Sequence, residues 1–157
     1  MEGETLKIYS AFLIERKFAE HYFYRADILF RFIKAYENNP TRDDLARQFA
    51  YITNRFPKTF FSHFKNNRLI SCLKQINDYQ LEIHRKNHHV ALHLYRRKLR
   101  FLCKSIHDAD ALLFPSLRSH YPYMFIVGEE ANDFGWIEPI REQSPFIKNE
   151  QVLYSYN

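Results

Sequence analysis

KIYSAFLI, residues 7–14, runs without a break into ERKFAEHYFYRADILFRFIKAYEN, residues 15–38, and at the junction the hydrophobic period changes. The first eight residues are rich in β-branched and aromatic types and carry no helix signal, which predicts a mostly buried strand. From Arg16 to about Asn38 there is no Gly or Pro, and Phe18, Tyr22, Ala26, Leu29, Ile33 and Tyr36 recur at helical spacing. One long helix is expected there, ended by Asn38-Asn39-Pro40, because the residue before proline is pushed out of the helical region. A strand feeding straight into an amphipathic helix points to an α+β chain.

Working outward, Thr41 offers an N-cap and Asp43 and Asp44 fall in a first turn, where the helix dipole favours negative charge. A second helix is predicted to about Thr53, short of Pro57. Residues 58–77 carry mixed signals and are left unplaced. Val90, Leu92 and Leu94 alternate with Ala91, His93 and Tyr95, and Leu99, Phe101 and Cys103 alternate with Arg100, Leu102 and Lys104. This predicts a β-hairpin. Ser105 can cap a third helix reaching to near Pro122, with a last strand over Tyr123–Val127. The expected architecture is one α+β domain over 1–145, a small mainly antiparallel sheet packed with about three helices. The chain past Pro145 has little patterning, so residues 146–157 are expected to form a partly mobile tail.

Composition supports this reading. At 157 residues the chain can bury roughly two-thirds of its unfolded surface in one core. Hydrophobic residues make up 46% and charged residues 26%, far from the signature of disorder. Aromatic content is high, with 15 Phe and 11 Tyr, while only 3 Gly are present, so ring surface can exceed what one core needs. Cys72 and Cys103 sit in apolar stretches without a second thiol at metal or redox spacing, and read as buried reduced thiols. There is no secretory signal pattern and no apolar run near the roughly 20 residues of a membrane span, so a cytoplasmic protein is expected, with no membrane partner.

Motifs for chemistry are sparse. The glycines at 3, 128 and 135 stand too far apart for a phosphate-cradling loop, and there is no nucleophile elbow. His84, His88, His89 and His93 contain two pairs spaced by four, which gather ligands on one face of a helix. The region alternates like a strand from Val90 onward, so no metal site is expected. Asp108 and Asp110, at a helix start, read as serving the dipole and solvent. The net charge of +5 and the cluster Arg96, Arg97, Lys98 and Arg100 leave room for a direct basic nucleic-acid-binding module, with Tyr95 and Phe101 as stacking groups. A solvated turn is the plainer reading of the same residues.

The first long helix is more informative. Stepping about 100° per residue from Phe18 spreads apolar side chains over roughly 220°, wider than a core face requires. Either a second element covers the remainder, or part of it is an aromatic docking surface, since exposed rings near the centre of a contact carry much of its binding energy.

FLIERKFAEHYFYR at 12–25, QFAYIT at 48–53 and FGWIEPIRE at 134–142 together resemble the SirA family, the sporulation inhibitors of replication of endospore-forming bacteria. The likeness follows the order of the chain, is strongest in the first 55 residues and around Trp136, and is weak between about 54 and 88. It implies a stoichiometric inhibitor that binds the amino-terminal domain (domain I) of the replication initiator DnaA, with no cofactor and no catalysis. By the same resemblance, the contact surface is carried by the helix from residue 16 and the helix from residue 41. The matching positions are Phe18, Tyr22 and Phe23 on the first, and Gln48 and Tyr51 on the second. Trp136 reads as a core filler and Pro139 as a turn former.

Overall fold

The computed structural model describes residues 5–65, 72–130, 132–138 and 154–155. Its backbone is one antiparallel sheet with helices on both faces. The first strand, β1 (Lys7–Ile14), has the predicted bounds and is buried for most of its length. It lies at the sheet's centre because both its edges are used: Tyr9 pairs Phe101 on β6 (Leu99–Cys103) and Gly128 on β7 (Met124–Gly128). Beyond Ala11, the two-residue β2 (Thr53–Asn54) takes over the edge that β6 leaves, pairing with Leu13 and Ile14.

Outward from β6 follow β5 (His88–Leu94), β4 (Gln80–Arg85) and β3 (Cys72–Asn77); outward from β7 follow β8 (Asp133–Trp136) and β9 (Tyr154–Ser155). The predicted hairpin is β5 with β6, in the register Leu92 opposite Phe101. The sheet is larger than expected because β2, β3, β4, β8 and β9 also belong to it. Of the expected tail over 146–157, only Tyr154 and Ser155, paired to β8, belong to the described residues, and the expected boundary at 145 lies outside them.

Each strand's pleat divides the core in two. Tyr9, Ala11 and Leu13 face one side with Leu81, Ile83, Val90, Leu92, Phe101 and Ile126. That side is covered by α5 (Ile106–Leu112), α6 (Phe114–Arg118) and the run holding Phe56, Phe60, Phe61 and Phe64, where α4 (Ser62–Lys65) sits. This aromatic run is the segment that sequence patterning left unplaced. Phe12, Ile14, Phe125, Val127, Phe134 and Trp136 face the other side. It is covered by α1 (Arg16–Tyr22), α2 (Ala26–Asn38) and α3 (Asp43–Ile52).

Three helix expectations need correction. The long helix over 16–38 is two, broken at Phe23-Tyr24-Arg25, where Arg25 leaves helical geometry at φ −125°, ψ 47°. The Phe23 carbonyl, which a continuous helix would satisfy from within, instead accepts the indole N–H of Trp136 at 3.2 Å. Pro115 divides the third helix: the ring fits the first turn of α6 but not the interior of a helix running through from 106. Thr41 is not the N-cap of α3; that position is Arg42, whose guanidinium holds Asp44 at 3.0 Å (Nε to Oδ1).

Among the described residues, the buried side-chain polar atoms without a hydrogen-bond partner are His89 Nε2 and Asp133 Oδ1. Tyr9 donates its hydroxyl to the Asp133 carboxylate at 2.9 Å, and burial followed by that contact drives its own ionisation well above the usual phenol range. Asp108 is not a solvated dipole partner: it is buried, and its carboxylate lies 2.6 Å from Nδ1 of His88, while Asp110 holds Arg118. Burial, then the nearby Asp108 carboxylate, pushes the Cys103 thiol up to about 12, so it is an inert core group.

Glu129 sits where the central strand meets α2. Arg100 grips it through Nε at 2.9 Å and the fork's second nitrogen at 3.3 Å, and Ser10 donates its hydroxyl at 3.3 Å. Burial alone raises this carboxyl, but the Arg100 bonds and charge, helped by Lys98 and Ser10, outweigh it and hold it below the ordinary carboxylate range. A group with a depressed folded pKa contributes stability that is present above its unfolded value, about 4.3, and lost as pH falls through the folded one. Glu129→Gln is therefore expected to melt lower than wild type at pH 7, with the gap closing below about pH 4, as read by thermal unfolding across that range.

Candidate protein-docking site

The resemblance points at α1 and α3, and the chain builds them as neighbours by specific means. Glu15 ends the first strand and starts the first helix twice over: its carboxylate accepts the Lys17 N–H at 3.1 Å, and its own N–H donates to the Ile52 carbonyl at 2.7 Å. The start of α1 is thus tied to the end of α3. Arg16 reaches Glu20 at 3.2 Å, and the Tyr123 hydroxyl donates to the same carboxylate at 3.5 Å, steadying α1 over the entry to β7.

From α3, Phe49 and Ile52 point inward, Phe49 stacking on Tyr36 at 4.2 Å and meeting Phe12 edge-on at 5.7 Å. With that face committed to the core, Gln48 and Tyr51, three residues apart, are left exposed, Tyr51 to 66%. On α1, Ala19 is fully buried, and Phe18 stands beside it half-buried.

Phe18 and Tyr51 meet across the helix pair, ring centroids 5.3 Å apart and steeply tilted. The ammonium of Lys17 lies 5.4 Å from the Phe18 ring and 5.9 Å from the Tyr51 ring. Tyr22, one turn beyond Phe18, is half-buried with His21 against its edge at 4.7 Å. Phe18 and Tyr51 thus form a ring pair anchored in the core at Phe18 and open at Tyr51, with half-buried Tyr22 one turn on along α1 and exposed Gln48 one turn back along α3. Phe23 is set apart from them: its half-buried ring stacks on Trp136 at 5.2 Å.

Sequence reasoning missed a residue that holds this site. Arg97 donates from one guanidinium nitrogen to the Ala50 carbonyl at 3.2 Å, the Thr53 carbonyl at 2.7 Å and the Thr53 hydroxyl at 3.3 Å. It gathers the last turn of α3, where free carbonyls and the negative end of the helix dipole favour a cation. Burial first, then the charges of Arg55 and Arg96, lowers its pKa from the usual guanidinium value. Its neighbours are also engaged within the fold, Lys98 with Glu37 at 3.6 Å and Arg100 with Glu129. Phe101, read from sequence as a stacking group for nucleic acid, is fully buried because its alternation places it on the inner face of β6. The basic turn fastens helices to the sheet, which no spacing rule along the chain announces.

Among the described residues, no helix is long and apolar enough to cross a membrane. Fold and surface define an α+β domain whose sheet presents, on two helices tied end to end, a half-open strip of aromatic side chains. The chain belongs to the SirA family: residues 7–141 match the profile described as sporulation inhibitor of replication protein SirA. It is 21% identical over 142 residues to the sporulation inhibitor of replication protein SirA of Bacillus subtilis strain 168, covering 87% of this chain and 96% of that one.

Proposed function

We propose that this protein inhibits the initiation of DNA replication during sporulation by binding the amino-terminal domain of the initiator DnaA one to one, through Phe18, Tyr22, Gln48 and Tyr51. Membership of a family of sporulation inhibitors of replication supports the process. The observation that carries the docking surface is the Phe18–Tyr51 pair, a contact between rings of two helices that leaves Tyr51 largely in water. A ring held in place by its neighbour loses little freedom on binding, and Tyr combines a large apolar face with a hydroxyl that tolerates water. Gln48 adds a donor and acceptor one turn away, and Lys17 adds positive charge at the rim. Phe23 contributes from beneath, through Trp136, by fixing where α1 ends.

On this reading inhibition is by occupancy, and neither a cofactor nor a reaction is involved. Titration calorimetry of the purified chain into the isolated DnaA amino-terminal domain is expected to give a one-to-one complex whose affinity falls only mildly between 50 and 200 mM salt. A basic nucleic-acid module with six or more phosphate contacts would instead lose about a thousandfold over that range on DNA. No heat with the DnaA domain, together with steeply salt-dependent binding to duplex DNA, would refute the reading.

A further inference from the structure

The face of the sheet that α1, α2 and α3 cover is covered only in part. Their core contacts run through β1, β7 and β8, and the same face of β4 and β5 carries polar residues in place of packed ones. The hairpin joining those strands turns on two residues, Lys86 and Asn87, so Arg85 pairs His88, His84 pairs His89 and Glu82 pairs Ala91. Ile83 and Val90 point into the core, and the pleat sends Glu82, His84 and His89 to the opposite face. Directly opposed residues have their Cβ atoms about 5 Å apart. Cross-strand pairing thus brings His84 and His89 together, a different pair from the His84–His88 and His89–His93 pairs that helical spacing would gather.

We propose that Glu82, His84 and His89 form a binding site for a divalent transition metal of the zinc class on the outer face of the β4–β5 hairpin. One ligand atom from each residue lies within 4.8 Å of the other two. Glu82 Oε1 is 3.7 Å from His84 Nε2 and 3.9 Å from His89 Nε2, too long for good hydrogen bonds. Donor atoms around a tetrahedral zinc at about 2.1 Å stand roughly 3.4 Å apart, so small side-chain adjustments bring these to ligand distance. The imidazoles stack at 4.2 Å and 25°, and both present Nε2 to the same Glu82 carboxylate oxygen.

A second observation points the same way. His89 Nε2 is shut off from solvent and has no hydrogen-bond partner, although the residue as a whole is half-exposed. A ring nitrogen deprived of water and left unbonded is costly unless something else occupies its lone pair. Two imidazoles and a carboxylate form a donor set suited to zinc, with the remaining position open to water. His93 shares the face but stacks on Tyr95 at 4.5 Å and stands apart from the cluster.

The test is a competition titration of Zn²⁺ into the chelator-treated full chain against a chromophoric chelator, with Co²⁺ as a spectroscopic stand-in. One equivalent is expected to bind in the low-micromolar range or tighter, to raise the melting temperature, and with Co²⁺ to give the visible bands of a low-coordinate site. His84→Ala, His89→Ala and Glu82→Gln are each expected to weaken binding at least about tenfold, with His93→Ala unchanged. The three residues are half-exposed, so melting without metal should confirm that the variants fold. Absence of binding at about 100 μM Zn²⁺, featureless Co²⁺ spectra, or binding that survives the His84→Ala/His89→Ala double change would overturn the proposal.

Discussion

Phe18→Ala is expected to weaken binding to the amino-terminal domain of DnaA by about 2–4 kcal/mol, roughly thirtyfold to a thousandfold in Kd. On the proposed docking mode, truncation removes both a ring that contacts the partner and the ring that packs against Tyr51, so two contacts are lost together. Because Phe18 also packs on the core below, part of the loss will show as reduced stability, and a companion variant separates the two effects. Tyr51 is 66% exposed, so Tyr51→Ala should change stability by no more than about 0.5 kcal/mol while weakening the complex clearly. Tyr22→Ala is expected to behave like Phe18→Ala, with a smaller binding effect. Calorimetry against the DnaA domain and thermal melts of each variant check this; unchanged affinity in both Phe18→Ala and Tyr22→Ala would contradict the assignment.

The second large effect is on folding. Trp136 is 1% exposed, stacks on Phe23 at 5.2 Å, meets Phe125 at 4.9 Å, and donates to the Phe23 carbonyl at the break between α1 and α2. Trp136→Ala removes the largest buried side chain from that half of the core and should cost about 3–5 kcal/mol. For a chain of this size that lowers the melting temperature by roughly 10 °C or more, read by circular dichroism. Trp136→Phe keeps a ring against Phe23 but strands the carbonyl, and should cost about 1–3 kcal/mol. Because the indole N–H holds the Phe23 carbonyl at the end of α1, Trp136→Phe is also expected to weaken DnaA binding modestly.

How far the sequence revealed this fold can be followed element by element. The strand over Lys7–Ile14 and the hairpin of β5 with β6 were legible because strong local periodicity agreed with burial, every second residue of β6 being packed inside. The break at Phe23–Arg25 was not, because no local residue breaks the helix; the Phe23 carbonyl it frees is taken up by Trp136, 113 positions away. Pro115 is a visible signal of the division between α5 and α6. Another visible signal is Leu81 and Ile83 alternating with Glu82 and His84, which marks β4. The Phe56–Phe64 run could not be read by period, since its rings fill space over the sheet without belonging to a regular face.

The candidate patch divides similarly. Gln48 and Tyr51 are exposed as a three-residue spacing on one helix predicts, and the excess apolar arc of the first helix is resolved in two ways at once. The break redirects its second half onto Phe134 and Val127, and Phe18 and Tyr22 remain at the surface. What spacing along the chain did not disclose is the work of Glu15, which ties the start of α1 to the end of α3, and of Arg97, which fastens that end of α3 to the β5–β6 turn. Such ties join residues distant in sequence and leave no periodic trace.

The most direct measurement of the central claim is amide hydrogen exchange of the full chain, free and bound to the DnaA amino-terminal domain. Docking through the proposed strip is expected to add protection in α1, residues 16–22, and in α3, residues 43–52, with the hairpin of β4 and β5 and the turn at 95–98 unchanged. Protection confined to that hairpin or turn, with α1 and α3 exchanging as in the free protein, would contradict it.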